Sequence, residues 1–185
     1  MATNNILHQL DNAIGDEMGD GVLVSRPLLL TDIEAGANVA IVADETNARV
    51  LQVTNANDTV GYLTMPIPRD YDETQDELYV RVLASQLTVS TDNDVELDSE
   101  LYVKKAGVAL GSDLDPTAPG VVLAAAEKWI TLDLSGNGLV KDDVANFVLI
   151  TNGANDTSGE EVQIHAAEVL YRSTIVAYND DFRTA

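Results

Sequence analysis

The sequence predicts an all-β protein: an antiparallel two-sheet β-sandwich of the jelly-roll type, with a short N-terminal arm or helix. Two observations predict this fold class. After residue 21, apolar and polar side chains alternate in short segments that are rich in β-branched and aromatic residues. Clusters of Gly, Pro, Asn and Asp, which form turns, separate these segments. Many short strands with little helix favour two packed sheets.

Composition limits the function classes. The chain has 185 residues, of which 45% are hydrophobic, so it can bury the core of one domain. It has no cysteine, which excludes disulfides and thiolate metal sites. The apolar runs are too short to span a bilayer and no signal-peptide pattern is present, so we expect no membrane association. A formal charge of -21 argues against nucleic acid as a partner.

The first residues differ from the rest of the chain. Ile6, Leu10, Ile14 and Met18 recur every four residues, which is the spacing of an amphipathic helix. Two interpretations stay open: a helix that packs on its own domain, or an arm that docks on a neighbouring subunit. The predicted division is an arm over 1–20 and a β-sandwich domain over 21–185.

Strands are predicted for the segments that alternate most clearly. In 77–84, Leu78, Val80 and Val82 share one face, whereas Tyr79 and Arg81 share the other. Such half-buried strands are typical of antiparallel sheets. The alternation changes phase at Ser85-Gln86, which predicts a bulge or a change of strand. The predicted strands cover 38–43, 48–54, 77–84, 128–134, 144–151 and 162–171.

The sequence offers no convincing catalytic constellation. His8 and His165 are its two histidines, and the nucleophile-elbow, phosphate-loop and zinc-protease motifs are absent. We therefore expect no enzymatic activity and no cofactor. The run that starts at Asp133 matches the beginning of a calcium-binding loop, but Val144 stands where that loop needs a bidentate Glu. A turn is favoured over a calcium site.

A row of acidic residues is the first candidate surface. If its segment is a strand, every carboxylate lies on one face and the apolar residues lie on the other. Repulsion between these like charges would recruit counter-ions or a basic partner surface, and the alternative is a solvated outer face. The row comprises Asp92, Asp94, Glu96, Asp98 and Glu100.

Trp129 is the second candidate. Ile130, Leu132 and Leu134 occupy the inner face of its strand, so the indole should point outward. An outward indole could pack under a loop, anchor a subunit interface or stack on a sugar ring. The interface candidates are therefore the apolar residues of the arm, the acidic row and Trp129.

Three segments carry a resemblance to known proteins: MPIPRDYDETQDELYVRVLASQ at 65–86, KWITLDLSGNGL at 128–139 and VQIHAAEVLYRS at 162–173. Together with the arm, they resemble β-sandwich head decoration (cement) proteins of tailed bacteriophages. The resemblance implies a homo-oligomer on the outer capsid surface of the virion. Its partners would be the major capsid protein and copies of itself, and it would stabilise contacts between capsomers.

The segment KWITLDLSGNG also resembles strands of carbohydrate-binding jelly rolls. This second resemblance implies a module of a tail fibre or adhesin that binds sugar. Aromatic residues make up 5% of the chain, which leaves few candidates for a sugar-stacking platform.

Overall fold

A computed structural model describes residues 22–43, 49–53, 59–86, 95–115, 120–124, 126–153 and 162–174. The predicted arm and its boundary lie outside these ranges and stay predictions. Within them the chain forms one 3-10 turn, Leu30–Asp32, and these strands: β1 Val22–Leu28, β2 Glu34–Ala35, β3 Val39–Ala43, β4 Arg49–Val53, β5 Thr59–Pro66, β6 Leu78–Gln86, β7 Val95–Lys104, β8 Val121–Val122, β9 Lys128–Asp133, β10 Val144–Gly153 and β11 Val162–Ser173.

The strands form two antiparallel sheets. The larger sheet has the order β3-β4-β11-β6-β9, and β1 also pairs with β11. The smaller sheet has the order β2-β5-β10-β7-β8. From β4 to β7 the chain changes sheet at each successive strand, and it does so again from β8 to β11. This alternation confirms the predicted β-sandwich of the jelly-roll type.

The core lies between the two sheets and consists of the alternate residues of each long strand. Side chains that are almost completely buried include Leu51, Leu78, Leu97, Phe147 and Ile164. Because successive side chains in a strand point to opposite faces, the residues between them form the two outer faces. No helix in the described ranges is long and apolar enough to cross a membrane.

The six predicted strands are confirmed as β3, β4, β6, β9, β10 and β11. The phase change at Ser85-Gln86 coincides with the end of β6, and the next strand, β7, belongs to the other sheet. The bulge lies on the partner strand instead, because the register between β11 and β6 shifts between Ile164 and Ala166.

One aspartate connects two turns at an end of the sandwich. Asp76 accepts hydrogen bonds from the hydroxyl of the buried Tyr71 (2.7 Å) and from the backbone N–H groups of Gly138 (2.6 Å) and Leu139 (3.2 Å). The N–H of Ser135 donates to the Asp133 carboxylate (3.0 Å). The run that starts at Asp133 thus forms a turn that is held by Asp133 and Asp76.

Replacing Asp76 by alanine should lower the free energy of unfolding by about 2–4 kcal/mol, because three hydrogen bonds to a charged acceptor are lost and a buried hydroxyl loses its acceptor. Asp142→Ala is the matched control, since Asp142 also has a positive φ (70°, against 48° for Asp76) but is exposed. We expect it to cost less than about 1 kcal/mol. Urea unfolding measures both, and equal losses would show that backbone conformation alone accounts for the effect.

Tyr71 should also make stability depend on pH. Burial, and then the hydrogen bond to Asp76, raise the pKa of Tyr71 well above its usual value. Above about pH 10 the tyrosine ionises in the unfolded chain but stays protonated in the folded one, so its contribution to stability falls as pH rises. Unfolding free energies of wild type and Tyr71→Phe should therefore differ less at about pH 11 than at about pH 8. A constant difference would contradict this.

Candidate functional site

The outer face of the larger sheet carries a row of opposed polar and aromatic side chains. The register of β11 and β6 places Glu168 opposite Arg81 and Leu170 opposite Tyr79. On the other side of β6, Arg81 lies opposite Thr131 of β9. These residues occupy the positions between buried core residues, so they all point away from the core. The face is thus assembled from strands that are distant in sequence.

An open cleft of about 500 Å³ lies on this face. Hereafter "the cleft" means this feature and the indole of Trp129 beside it. Its walls combine apolar, aromatic and charged side chains. The lining residues are Leu23, Glu77, Tyr79, Arg81, Thr131, Leu170 and Arg172.

Trp129 points outward, as predicted, and the described residues cover it only in part. Arg81 packs against the indole: its guanidinium carbon lies 4.5 Å from the centroid of the Trp129 ring. Arg81 also forms an ion pair with Glu168 (3.0 Å), and the Ser25 hydroxyl donates to the same carboxylate. Trp129 keeps 39% of its surface exposed. The indole of Trp129 therefore contacts Arg81 on one side and stays accessible on the other.

A second ion pair stands at the other end of the cleft. Arg172 Nη2 lies 2.7 Å from Glu77 Oε2, and Arg172 Nε donates to the same oxygen (2.9 Å). Both side chains are largely shielded from solvent. Two arginines and two glutamates thus contribute no net charge to the cleft, although the whole chain carries -21.

The described part of the acidic row, which is Glu96, Asp98 and Glu100, lies on β7 of the smaller sheet. Glu96, Asp98 and Glu100 share the outer face of β7, and the residues between them are buried, so the predicted alternation is confirmed for this part. The three side chains are only half-exposed: Glu100 accepts a hydrogen bond from Tyr102 (2.9 Å), and a Cβ on Gly120 would stand 2.8 Å from the Glu96 Cβ. The row is therefore partly packed against neighbouring residues.

Several predicted residues lie outside the described ranges. They are Asp92 and Asp94 of the acidic row and the four apolar residues of the arm, Ile6, Leu10, Ile14 and Met18. His165 is described and occupies the bulge of β11, where its Nε2 lies 3.0 Å from the Ser85 hydroxyl.

One acidic residue could not be found from the strand pattern. Asp115 lies on a connecting segment and faces a cavity of about 200 Å³ with Asp98 and Asp133. Burial, and then the charges of Asp113, Asp98 and Asp133, raise the pKa of the Asp115 carboxyl. Within the described ranges, no group of three or more His, Cys, Asp or Glu residues could hold a metal ion.

Arg81 and Tyr79 could be assigned to an outer face from sequence, but Glu168 as the partner of Arg81 and Arg172 as the partner of Glu77 were missed. The signal is present in 162–173, where Glu168, Leu170 and Arg172 alternate with apolar residues. Only the pairing of β11 with β6 shows that Glu168 opposes Arg81 and that Arg172 lies beside Glu77, the residue before β6.

No family model matches the chain, and no curated protein matches it. Among solved structures, it is similar to a xylan-binding module CBM15 (8% identity, 82% of this chain and 97% of that chain, TM-score 0.48). It is also similar to the CBM22-1 xylan-binding domain from Paenibacillus barcinonensis Xyn10C (10%, 84% and 92%, 0.46) and to TmCBM61 in complex with beta-1,4-galactotriose (10%, 85% and 93%, 0.39). At these identities and TM-scores, the similarities carry no argument about the ligand of this chain.

Proposed function

We propose that this chain is a non-enzymatic binding module that recognises a neutral carbohydrate in the cleft. The observation that carries the proposal is the accessible indole of Trp129, held beside the Arg81–Glu168 ion pair on an open sheet face. A pyranose ring has an apolar C–H face that can stack on an indole, and its hydroxyl groups need both donors and acceptors at the rim.

The ion pairs prepare the cleft for hydroxyl groups. Glu168 holds the Arg81 guanidinium by a salt bridge, and Glu77 holds that of Arg172, so these side chains lose little rotational freedom when a ligand binds. A guanidinium presents several N–H donors in a fixed plane, and a carboxylate presents acceptors. Each pair therefore offers both kinds of partner.

Charge narrows the ligand class. The two arginines are each neutralised by a glutamate, so the cleft has no uncompensated cation for a phosphate or carboxylate ligand. An anionic sugar would also approach a chain with a formal charge of -21. Neutral oligosaccharides fit this electrostatic environment better than uronic acids or phosphorylated sugars.

Trp129→Ala should weaken the binding of a neutral oligosaccharide at least tenfold, equivalent to about 1.4 kcal/mol, because the stacking surface is lost. Calorimetric titration with xylo-, cello- and galacto-oligosaccharides measures this. Tyr62→Ala is the matched control: Tyr62 is 47% exposed, but it lies on β5 of the smaller sheet. Trp129 is the only tryptophan of the sequence, so a change of its fluorescence on titration of the wild type would place the ligand beside it.

Three results would count against the proposal. If Tyr62→Ala weakens binding and Trp129→Ala does not, the site lies on the smaller sheet. If the wild type binds no sugar of the panel, the carbohydrate proposal is wrong. The protein should also leave these sugars chemically unchanged. Turnover of any of them would overturn the non-enzymatic part of the proposal.

Capsid decoration remains a second proposal, favoured by an exposed apolar loop. Val108, Leu110 and Leu114 are 55%, 53% and 37% exposed. The loop is tied to β7, because Leu114 N–H donates to the Leu101 carbonyl (2.8 Å) and Leu101 N–H donates to the Asp113 carboxylate (2.9 Å). A fixed apolar patch of this kind fits a protein partner such as the outer surface of a capsid.

Leu110→Glu should reduce co-sedimentation with assembled capsids of tailed bacteriophages at least tenfold, because a charge would be placed in the apolar contact. Trp129→Ala should leave co-sedimentation unchanged, since Trp129 belongs to the cleft and not to the apolar loop. If the wild type does not co-sediment with any candidate capsid, or if Leu110→Glu co-sediments as the wild type does, this second proposal fails.

A further inference from the structure

The edges of the two sheets differ in how they are protected. An edge strand presents unpaired backbone groups, and proteins guard such edges with short strands, proline or charge. In the described ranges, β2 and β8 have two residues each, β1 carries Arg26 and Pro27, and β9 begins with Lys128 and ends with Asp133. β3 is the exception: its five residues, VAIVA, contain no charge and no proline.

β3 also carries part of the core-facing surface of the larger sheet, and the rest of the protein covers this part incompletely. Ile41 pairs with Leu51, so the two side chains point to the same face of the sheet. Leu51 is fully buried in the core, whereas Ile41 is 44% exposed. An apolar residue on the inner face is thus left open to solvent at the one unguarded edge of the described strands.

We propose that β3 is a homodimer interface, in which a second copy adds its own β3 antiparallel to this edge. The sequence of the strand suits self-pairing. A two-fold axis at Ile41 places Ile41 opposite Ile41, Val39 opposite Ala43 and Ala40 opposite Val42, so each valine meets a small residue. No charged residue lies within the strand, so two copies of a strongly acidic chain can approach here without opposing carboxylates.

Cross-linking tests this geometry directly, because the natural sequence contains no cysteine. In the proposed register, the two Cα atoms of residue 41 stand about 4.5–5.5 Å apart, which a disulfide can bridge. Mild oxidation of Ile41→Cys should give a covalent dimer. Val122→Cys, at a residue that is 49% exposed on β8, should stay monomeric. Equal cross-linking of both variants, or none at residue 41, would overturn the proposal.

The register has its own check. Ala40→Cys and Val42→Cys should each cross-link poorly alone but readily when mixed, because these positions face one another across the axis. Efficient cross-linking of either variant with itself and not in the mixture would refute the two-fold axis at Ile41.

Ile41→Lys gives an independent test without oxidation. A charge at this edge should raise the dimer dissociation constant at least tenfold while the urea midpoint of the monomer stays close to that of wild type. Sedimentation velocity over a concentration series measures the dissociation. Two outcomes contradict the proposal: a wild type that is monomeric throughout, or an Ile41→Lys variant whose cooperative unfolding is lost, which would show that the chain itself covers the edge.

Discussion

The register of β11 is the constraint on which both the core and the cleft depend. Its inward residues are Val162 and Ile164 before the bulge and Ala167, Val169 and Tyr171 after it. If β11 passed through His165 without a bulge, the alternation would continue through even positions and point Glu168 and Arg172 into the core. Burying these two charges would cost several kcal/mol each. The bulge therefore keeps Glu168 and Arg172 on the outer face of a strand whose inner face is buried in the core.

The same register gives the cleft its charge balance. Glu168 stands directly opposite Arg81, so their ion pair is a cross-strand contact rather than a chance meeting of long side chains. Arg81 then reaches the indole of Trp129, which belongs to the next strand. A shift of one residue between β6 and β11 would separate the pair and expose the core at once, so the cleft is as firmly specified as the sandwich itself.

Sequence predicted the parts of this arrangement that depend on local alternation, including six strands and the outward direction of Trp129. It missed β1, where Arg26 and Pro27 interrupt the pattern, and β5, where Gly61 stands at an inward position. Gly61 is required because a Cβ there would lie 2.5 Å from an Ile33 methyl. The partners Glu168 and Arg172 could not be predicted, because strand pairing joins residues that are about ninety positions apart.

The proposed edge contact would also change what the cleft can do. Two-fold pairing through β3 continues the larger sheet into the second copy, and paired residues keep their side chains on the same face. Both clefts would then lie on the same face of a continuous sheet, each separated from the axis by β4 and β3. Because neighbouring strands are rotated by about 20–25°, the two clefts point in different directions and suit a flexible polymer better than a flat surface. One polymer that reaches both clefts makes the second contact intramolecular, so a cleft that holds a neutral ligand weakly would retain that polymer firmly.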